Sequence, residues 1–307
     1  MARTVFIDGA AGTTGLEIAA RLEARSEFEL IILDDEKRKD DAARAEALND
    51  ADFVILCLPD DAAKAAVGMI RNETTRVIDA SSAHRTAEGW TYGFAEVIGH
   101  EAIADARHVS NPGCYPSGFI ALVAPLVRAG LLPADWPYVC HAVSGYSGGG
   151  KALISRFEQE PDIAYRAYGL AMGHKHVPEM KRHAGIGHDP VFAPAVVPAH
   201  RGMLVEVPLH LSMMDKAGSP DELRAALAEF YAGSPVVKVL VDTPGELLLH
   251  RAMEPSDALS LRVFGAADGA QARLAAVLDN LGKGASGAAV QNLNIMAGLD
   301  ETAGLRL

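Results

Sequence analysis

Thr4-Val5-Phe6-Ile7-Asp8-Gly9-Ala10-Ala11-Gly12-Thr13-Thr14-Gly15-Leu16-Glu17-Ile18-Ala19-Ala20-Arg21-Leu22 sets a short apolar run, a glycine turn and an amphipathic stretch in direct succession. Thr4 to Asp8 is too short for a helix and reads as a strand, whereas Leu16 to Leu22 spaces its apolar residues as a helix does. The glycines between them fall as GxxGxxG. Gly9 allows the tight turn, Gly12 lets the backbone approach a pyrophosphate, and Gly15 lets the helix pack close to the strand, its first N–H groups meeting phosphate oxygens. A plain turn between strand and helix produces the same letters, so the motif alone is weak. Repetition decides the fold. Phe28 to Leu33, Asp52 to Leu58 and Arg76 to Ala80 are further apolar runs, with helical stretches such as Ala62 to Ile70 between them. Strands alternating with helices specify an α/β, doubly wound parallel sheet of the Rossmann type, whose ligand lies at the carboxyl ends of the strands.

The second strand ends in Asp34-Asp35-Glu36-Lys37-Arg38-Lys39, about 20 residues beyond the glycine turn, where such folds read the ribose. Asp34 suits a free 2′-hydroxyl and hence NAD, while Lys37 and Arg38 suit a 2′-phosphate and hence NADP. A solvated charge run gives the same letters. The fourth strand runs into Asp79-Ala80-Ser81-Ser82-Ala83-His84-Arg85 at the same edge of the sheet.

At 307 residues the chain has the length of about two domains. An apolar fraction of 49% with 22% charged residues fits an ordinary soluble protein. No tract approaches the roughly 18 apolar residues of a membrane span, and Met1 to Val5 lacks the apolar core of a signal peptide, so a cytoplasmic protein without a membrane partner is expected. The net charge of −12 argues against nucleic acid and requires any anionic ligand to be gripped locally by Arg, Lys or backbone N–H groups. Cys57, Cys114 and Cys140 form no CxxC pair and read as reduced thiols. His174, His176, His183 and His188 lack the spacing of a metal site, and no metal is expected.

Ser110-Asn111-Pro112-Gly113-Cys114-Tyr115-Pro116-Ser117-Gly118 leads into the apolar run Phe119 to Val123 and places Cys114 at the mouth of a helix. Unpaired N–H groups and the partial positive charge there favour a thiolate. A buried, inert cysteine is the competing reading. Beyond it, strand-like segments at Trp136 to Ser144, Val191 to Val197, Leu204 to Met213, Val236 to Val241 and Ser260 to Phe264 describe a mixed α+β domain. Gly145-Tyr146-Ser147-Gly148-Gly149-Gly150-Lys151 reads as a glycine loop ending in a cation; its spacing is not that of a Walker loop. Gly173-His174-Lys175-His176-Val177-Pro178-Glu179-Met180 sets two histidines before a Pro-Glu helix start.

Six ordered motifs, at Gly9 to Gly15, Asp79 to Arg85, Ser110 to Gly118, Ser144 to Lys151, Gly173 to Met180 and Gly287 to Met296, together resemble the N-acetyl-γ-glutamyl-phosphate reductases in their shorter form. The resemblance spans the chain and implies a fold related to aspartate-semialdehyde and glyceraldehyde-phosphate dehydrogenases. It implies an NADP-binding domain at 1–112, a catalytic and oligomerisation domain at 113–285, and a C-terminal helix within 286–307 that returns to the first domain beside Gly9 to Gly15. It implies NADPH-dependent reduction of an acyl phosphate in arginine biosynthesis through a thioester on Cys114, in a homodimer or homotetramer.

A helix terminus is worth at most about 2 kcal/mol, or roughly 1.5 pKa units, so a thiol of ordinary pKa needs an imidazole beside it. The resemblance assigns that role to His176, with His174 second. It implies cofactor contacts from Gly9, Gly12, Thr13, Thr14, Gly15, Asp34, Lys37, Arg38, Ser81, Ser82 and Asn292. Substrate contacts fall to Arg85, Asn111, Ser147 and Lys151, with Arg85 and Lys151 taking the two anionic groups and Asn111 joining the Cys114 N–H at the oxyanion. Rival readings are a related semialdehyde dehydrogenase acting on another substrate, a cysteine hydrolase or acyltransferase, and a non-catalytic dinucleotide sensor.

Overall fold

The computed structural model describes residues 2–307, which divide into two units, 2–113 with 285–305 and 114–284 with 306–307. In the first, β1 (Arg3–Asp8), α1 (Thr13–Leu22), β2 (Phe28–Ile31), α2 (Asp41–Asp50), β3 (Phe53–Leu56), α3 (Asp60–Met69), β4 (Arg76–Asp79), β5 (Thr91–Tyr92), α4 (Ala95–Ile98), α5 (His100–Ala104) and β6 (His108–Ser110) follow one another. The strands form one parallel sheet in the order β2-β1-β3-β4-β6-β5.

Alternation along each strand builds a core on either side of this sheet. Val5, Ile7, Ile55 and Ile78 point to one face, where they meet Ile18 and Leu22 of α1; Phe6, Val54, Leu56 and Val77 point to the other, toward Leu48, Ala63 and Ala66. The C-terminal helix Gly287–Met296 completes the first face with Ala289, Val290 and Leu293. Its end is clasped by arginines. Arg3 donates to the Ala297 carbonyl, Arg76 to that of Met296, and Arg25 to the Asn294 side chain (3.0 Å) and the Ala303 carbonyl (2.9 Å). Cations belong at a helix C-terminus, where carbonyls lack intrahelical donors.

The second unit contains α6 (Cys114–Arg128), β7 (Val139–Gly145), α7 (Gly150–Gln159), β8 (Arg166–Ala167), α8 (Val177–Ala184), β9 (Val191–Val197), β10 (Met203–Leu209), α9 (Pro220–Phe230), β11 (Val237–Val239), β12 (Leu259–Gly265) and β13 (Ala272–Leu278). Its sheet runs β11-β12-β13-β10-β7-β9-β8, with parallel pairs β7/β9 and β11/β12 and the rest antiparallel. Helix α6 lies so close to β10 that a Cβ on Gly118 would sit 2.7 Å from Val205. Pro125 lies inside α6 and has no N–H to offer the Ala121 carbonyl four residues back. The Tyr231 hydroxyl supplies the missing donor at 2.9 Å.

Candidate active site

The glycine turn of the first unit is built as its letters suggest. Gly9 has φ +89°, and a Cβ there would lie 2.3 Å from the Cys57 carbonyl; one on Gly15 would lie 2.5 Å from the Gly9 carbonyl. The Gly12 N–H closes the turn on Gly9 O at 2.9 Å, and α1 starts at Thr13 with no side-chain cap and no acidic residue in its first turn. Thr13, Thr14 and Gly15 thus present a helix start suited to a phosphate. Asp34 lies past β2, where its carboxylate accepts from the N–H groups of Glu36 (3.1 Å) and Lys37 (2.8 Å). Arg38 pairs with exposed Asp35 at 2.8 Å.

At the end of β4, Ser81 donates its hydroxyl to Asp79 and Ser82 to Asp60, at 2.8 and 2.7 Å. Arg85 is buried, donating to the Asn111 carbonyl at 3.0 Å and that of Ala80 at 3.2 Å. Asn111 donates its amide to Ala285 O (3.0 Å) and accepts at its own oxygen from Asn292 (3.1 Å), which also donates to Gly93 O (2.9 Å). The Asn111 and Asn292 amides therefore knit the first unit internally.

In the second unit Cys114 is the first residue of α6. Gly284 lies against it, where a Cβ would come within 2.8 Å of the Cys114 Cβ. His176 is the N-cap of α8, which packs against α6, and Pro178 follows in the first turn. The ring of Tyr115, next to Cys114 in the chain, stands 5.8 Å from that of His176, and the two histidine rings are 4.8 Å apart. The His176 backbone N–H donates to His174 Nδ1 at 3.2 Å. Burial, reinforced by Lys175, lowers the His174 pKa, so this imidazole is held toward its neutral form.

Tyr168 completes the cluster. Its ring is 5.6 Å from that of His174, and the Arg166 guanidinium lies over its other side, 4.5 Å from the ring centre. Its hydroxyl shares a hydrogen bond with that of Tyr115. Tyr115 also donates to the Ala195 carbonyl at 3.0 Å. Burial pushes the Tyr168 pKa up to about 12, against the opposing effect of its hydrogen bond with Tyr115. Burial also drives the Cys57 thiol to about 12, helped by Asp79 and Asp8, and raises the Cys140 thiol further. Both stay protonated at neutral pH and are poor nucleophiles.

Ser147 is buried and accepts at its hydroxyl from Asn280 (2.9 Å), whose own oxygen accepts from the Gly202 N–H (2.9 Å). Lys151 does not end a loop: the chain enters α7 at Gly150, so Lys151 lies exposed in the first turn of a helix. Among the described residues it forms no ion pair. No helix among them is long and apolar enough to cross a membrane, and no group of three or more His, Cys, Asp or Glu is arranged to hold a metal ion.

Residues 114–280 match the family model described as semialdehyde dehydrogenase, dimerisation domain, and residues 4–106 that described as semialdehyde dehydrogenase, NAD binding domain. The N-acetyl-gamma-glutamyl-phosphate reductase of Burkholderia ambifaria is 52% identical over 303 residues, covering 96% of each chain. The N-acetyl-gamma-glutamyl-phosphate reductase 2 of Nostoc sp. is 48% identical over 317 residues, covering 98% of each. The chain belongs to the N-acetyl-γ-glutamyl-phosphate reductase family. The resemblance carried by the six motifs and the fold class are both borne out. Among solved structures, aspartate semialdehyde dehydrogenase from Francisella tularensis shares the reductase fold with a TM-score of 0.72 at 14% identity, covering 97% of this chain and 100% of that one. Aspartate semialdehyde dehydrogenase II from Vibrio cholerae does so at 0.67 and 17%, covering 97% and 99%.

Several features of this reductase site escaped the sequence. Tyr168, Asn280 and Gly284 belong to no recognisable motif, and each gains its place from a partner distant in the chain. Buried Glu179, one turn after His176, stands inside a recognised motif but received no role.

Proposed function

We propose that this reductase-family chain catalyses the NADPH-dependent conversion of N-acetyl-γ-glutamyl phosphate to N-acetylglutamate semialdehyde and phosphate, in arginine biosynthesis. The observation that carries the reading is Cys114 at the start of α6 amid Tyr115, Tyr168 and the two histidines, while burial disables the other two thiols. Its sulfur attacks the acyl-phosphate carbonyl, phosphate departs, and a thioester forms. NADPH, when bound, supplies the hydride that takes this thioester to the aldehyde level. The resulting thiohemiacetal then collapses, releasing the semialdehyde and restoring the thiol.

His176 serves as acid and base. A neutral imidazole has one basic nitrogen, and that of His174 already accepts from the His176 N–H. His174 is thus suited to hold the His176 backbone. The N–H groups at the start of α6 are suited to the developing oxyanion. The glycine turn, Thr13 and Thr14 suit the pyrophosphate, and Lys37 and Arg38 suit a 2′-phosphate. Lys151 and Arg85 are the candidate grips for the substrate's anionic groups. We also infer a homodimer or homotetramer assembled through the second unit, in a cytoplasmic enzyme.

Purified protein is to be assayed with N-acetylglutamate semialdehyde, phosphate, and NADP or NAD, following nicotinamide absorbance. Phosphate-dependent reduction of NADP is expected, with no rate from Cys114→Ser. A Cys114→Ser variant that kept the phosphate-dependent rate would overturn the mechanism, and turnover of a different semialdehyde alone would reassign the substrate.

A further inference from the structure

His84 is absorbed by neither the nucleotide turn nor the cysteine cluster, yet it sits in a loop held by several hydrogen bonds. Its Nδ1 lies 2.6 Å from Asp79 Oδ2. Asp79 is fully buried at the end of β4, and its carboxylate also accepts from the Ser81 N–H and hydroxyl, both at 2.8 Å. An ionised carboxylate only accepts, so His84 Nδ1 carries the proton in a short, charge-assisted bond. The His84 ring stacks on Trp90, with centres 4.0 Å apart and planes 10° apart, and the far face of Trp90 meets His108 at 4.9 Å. One ring thus fixes the orientation of the other, and both aim a single N–H at a buried charge.

The loop so fixed holds more than itself. The Asp79 carbonyl accepts from the Asn111 N–H at 2.7 Å, and Arg85, the neighbour of His84, returns a bond to the Asn111 carbonyl. Asn111 stands three residues before Cys114 in the sequence. Ser81, Arg85 and the backbone of Asn111 therefore all hang on the conformation that the Asp79 carboxylate organises.

We propose that His84 is a positioning residue for the reductase reaction, acting through its Nδ1–H bond to Asp79 to hold the Ser81–Arg85 loop, with the Trp90 stack setting the ring. The inference rests on the proposed function for its kinetic consequence, because Arg85 is read as an anion grip. It separates donor from ring. His84→Asn keeps an amide N–H near the Nδ1 position and loses the stack, whereas His84→Phe keeps the stack and loses the donor.

The test measures steady-state kinetics in the phosphate-dependent direction, NADP binding, and amide hydrogen exchange at Ser81 and Asn111, for the wild type and both variants. His84→Phe is expected to raise the phosphate KM about tenfold, the effect of losing one charge-assisted hydrogen bond. Its NADP dissociation constant should rise as well, because Ser81 and Ser82 of the same loop are read as cofactor contacts, and the Ser81 and Asn111 amides should exchange about tenfold faster. His84→Asn is expected to restore most of each. A His84→Phe protein equal to wild type, with His84→Asn the damaged one, would assign the residue to packing alone and overturn the proposal. If the wild type shows no phosphate-dependent NADP reduction, the proposed function fails, and the exchange rates alone decide whether His84 holds the loop.

Discussion

Replacing Gly284 by alanine tests the placement of Cys114, the proposed nucleophile, most directly. The added methyl would stand 2.8 Å from the Cys114 Cβ, 3.1 Å from the Asp279 carbonyl and 3.3 Å from the Cys114 Cα. Carbon atoms rest about 3.5–4.0 Å apart, so relief requires a shift of roughly 1 Å. Every atom in the way is backbone or Cβ, and none is the far end of a flexible side chain. Cys114 must move, or the Gly282–Ser286 turn must. Overpacking of this kind costs about 1–3 kcal/mol, little enough for the protein to remain folded. Catalysis should suffer more, because displacing a reacting group by about 1 Å costs on the order of a hundredfold in rate. Gly68→Ala in α3 is the matched control: nothing lies within 4 Å of its Cβ position. It should leave the rate unchanged and raise stability by up to about 1 kcal/mol, the helix preference of alanine over glycine. The assay pairs circular dichroism melting with a single-turnover measurement of thioester formation and steady-state nicotinamide absorbance. A folded Gly284→Ala protein with wild-type turnover would refute the claim that this contact positions Cys114.

Tyr231→Phe should destabilise the protein by about 1–3 kcal/mol, because it strands the Ala121 carbonyl that Pro125 leaves without a donor; an unchanged urea midpoint would show that water replaces the hydroxyl. Iodoacetamide at neutral pH should label Cys114 alone in the folded protein, since burial keeps the Cys57 and Cys140 thiols protonated; peptide mapping that found either one modified first would contradict this. The lowered pKa of His174 means that the unfolded chain binds its proton more readily, so stability should fall as pH drops from about 6.5 toward the folded-state pKa, and the penalty should be absent above about 6.5. His174→Asn, which keeps an acceptor for the His176 N–H, should flatten that part of the profile in urea titrations at several pH values.

Legibility differed between the two units for a physical reason. In the first, each strand is a nearly continuous apolar run ended by a turn residue, because both faces of a parallel sheet are covered, and β1, β3 and β4 are visible in the letters. The second sheet was read less completely. β13, Ala-Arg-Leu-Ala-Ala-Val-Leu, is rich in alanine and leucine and carries little strand preference, so only its pairing with β10 and β12 makes it a strand. Lys151 looked like the end of a glycine loop because three glycines hid the start of α7. Cys114 and His176 were legible because each sits at a helix start, which has a local signature. Gly284 and Tyr168 were not, since a clash with a cysteine 170 positions away, or a hydroxyl bonded to a tyrosine in helix α6, leaves no mark on neighbouring residues.

The arginine clasp on the C-terminal helix bears on how the chain is made. Arg3 and its acceptor at Ala297 are separated by 294 positions, nearly the whole length of the chain. A ribosome releases the N-terminal strands first, yet their core lacks Ala289, Val290 and Leu293 until the last residues emerge. Most of the second unit, 114–284, is made before residues 285–305 can close the first, and its residues 306–307 follow after them. During synthesis the sheet face packed by α1 therefore stays incompletely covered for the time needed to translate residues 114–284, and this is the interval in which a chaperone would act on it.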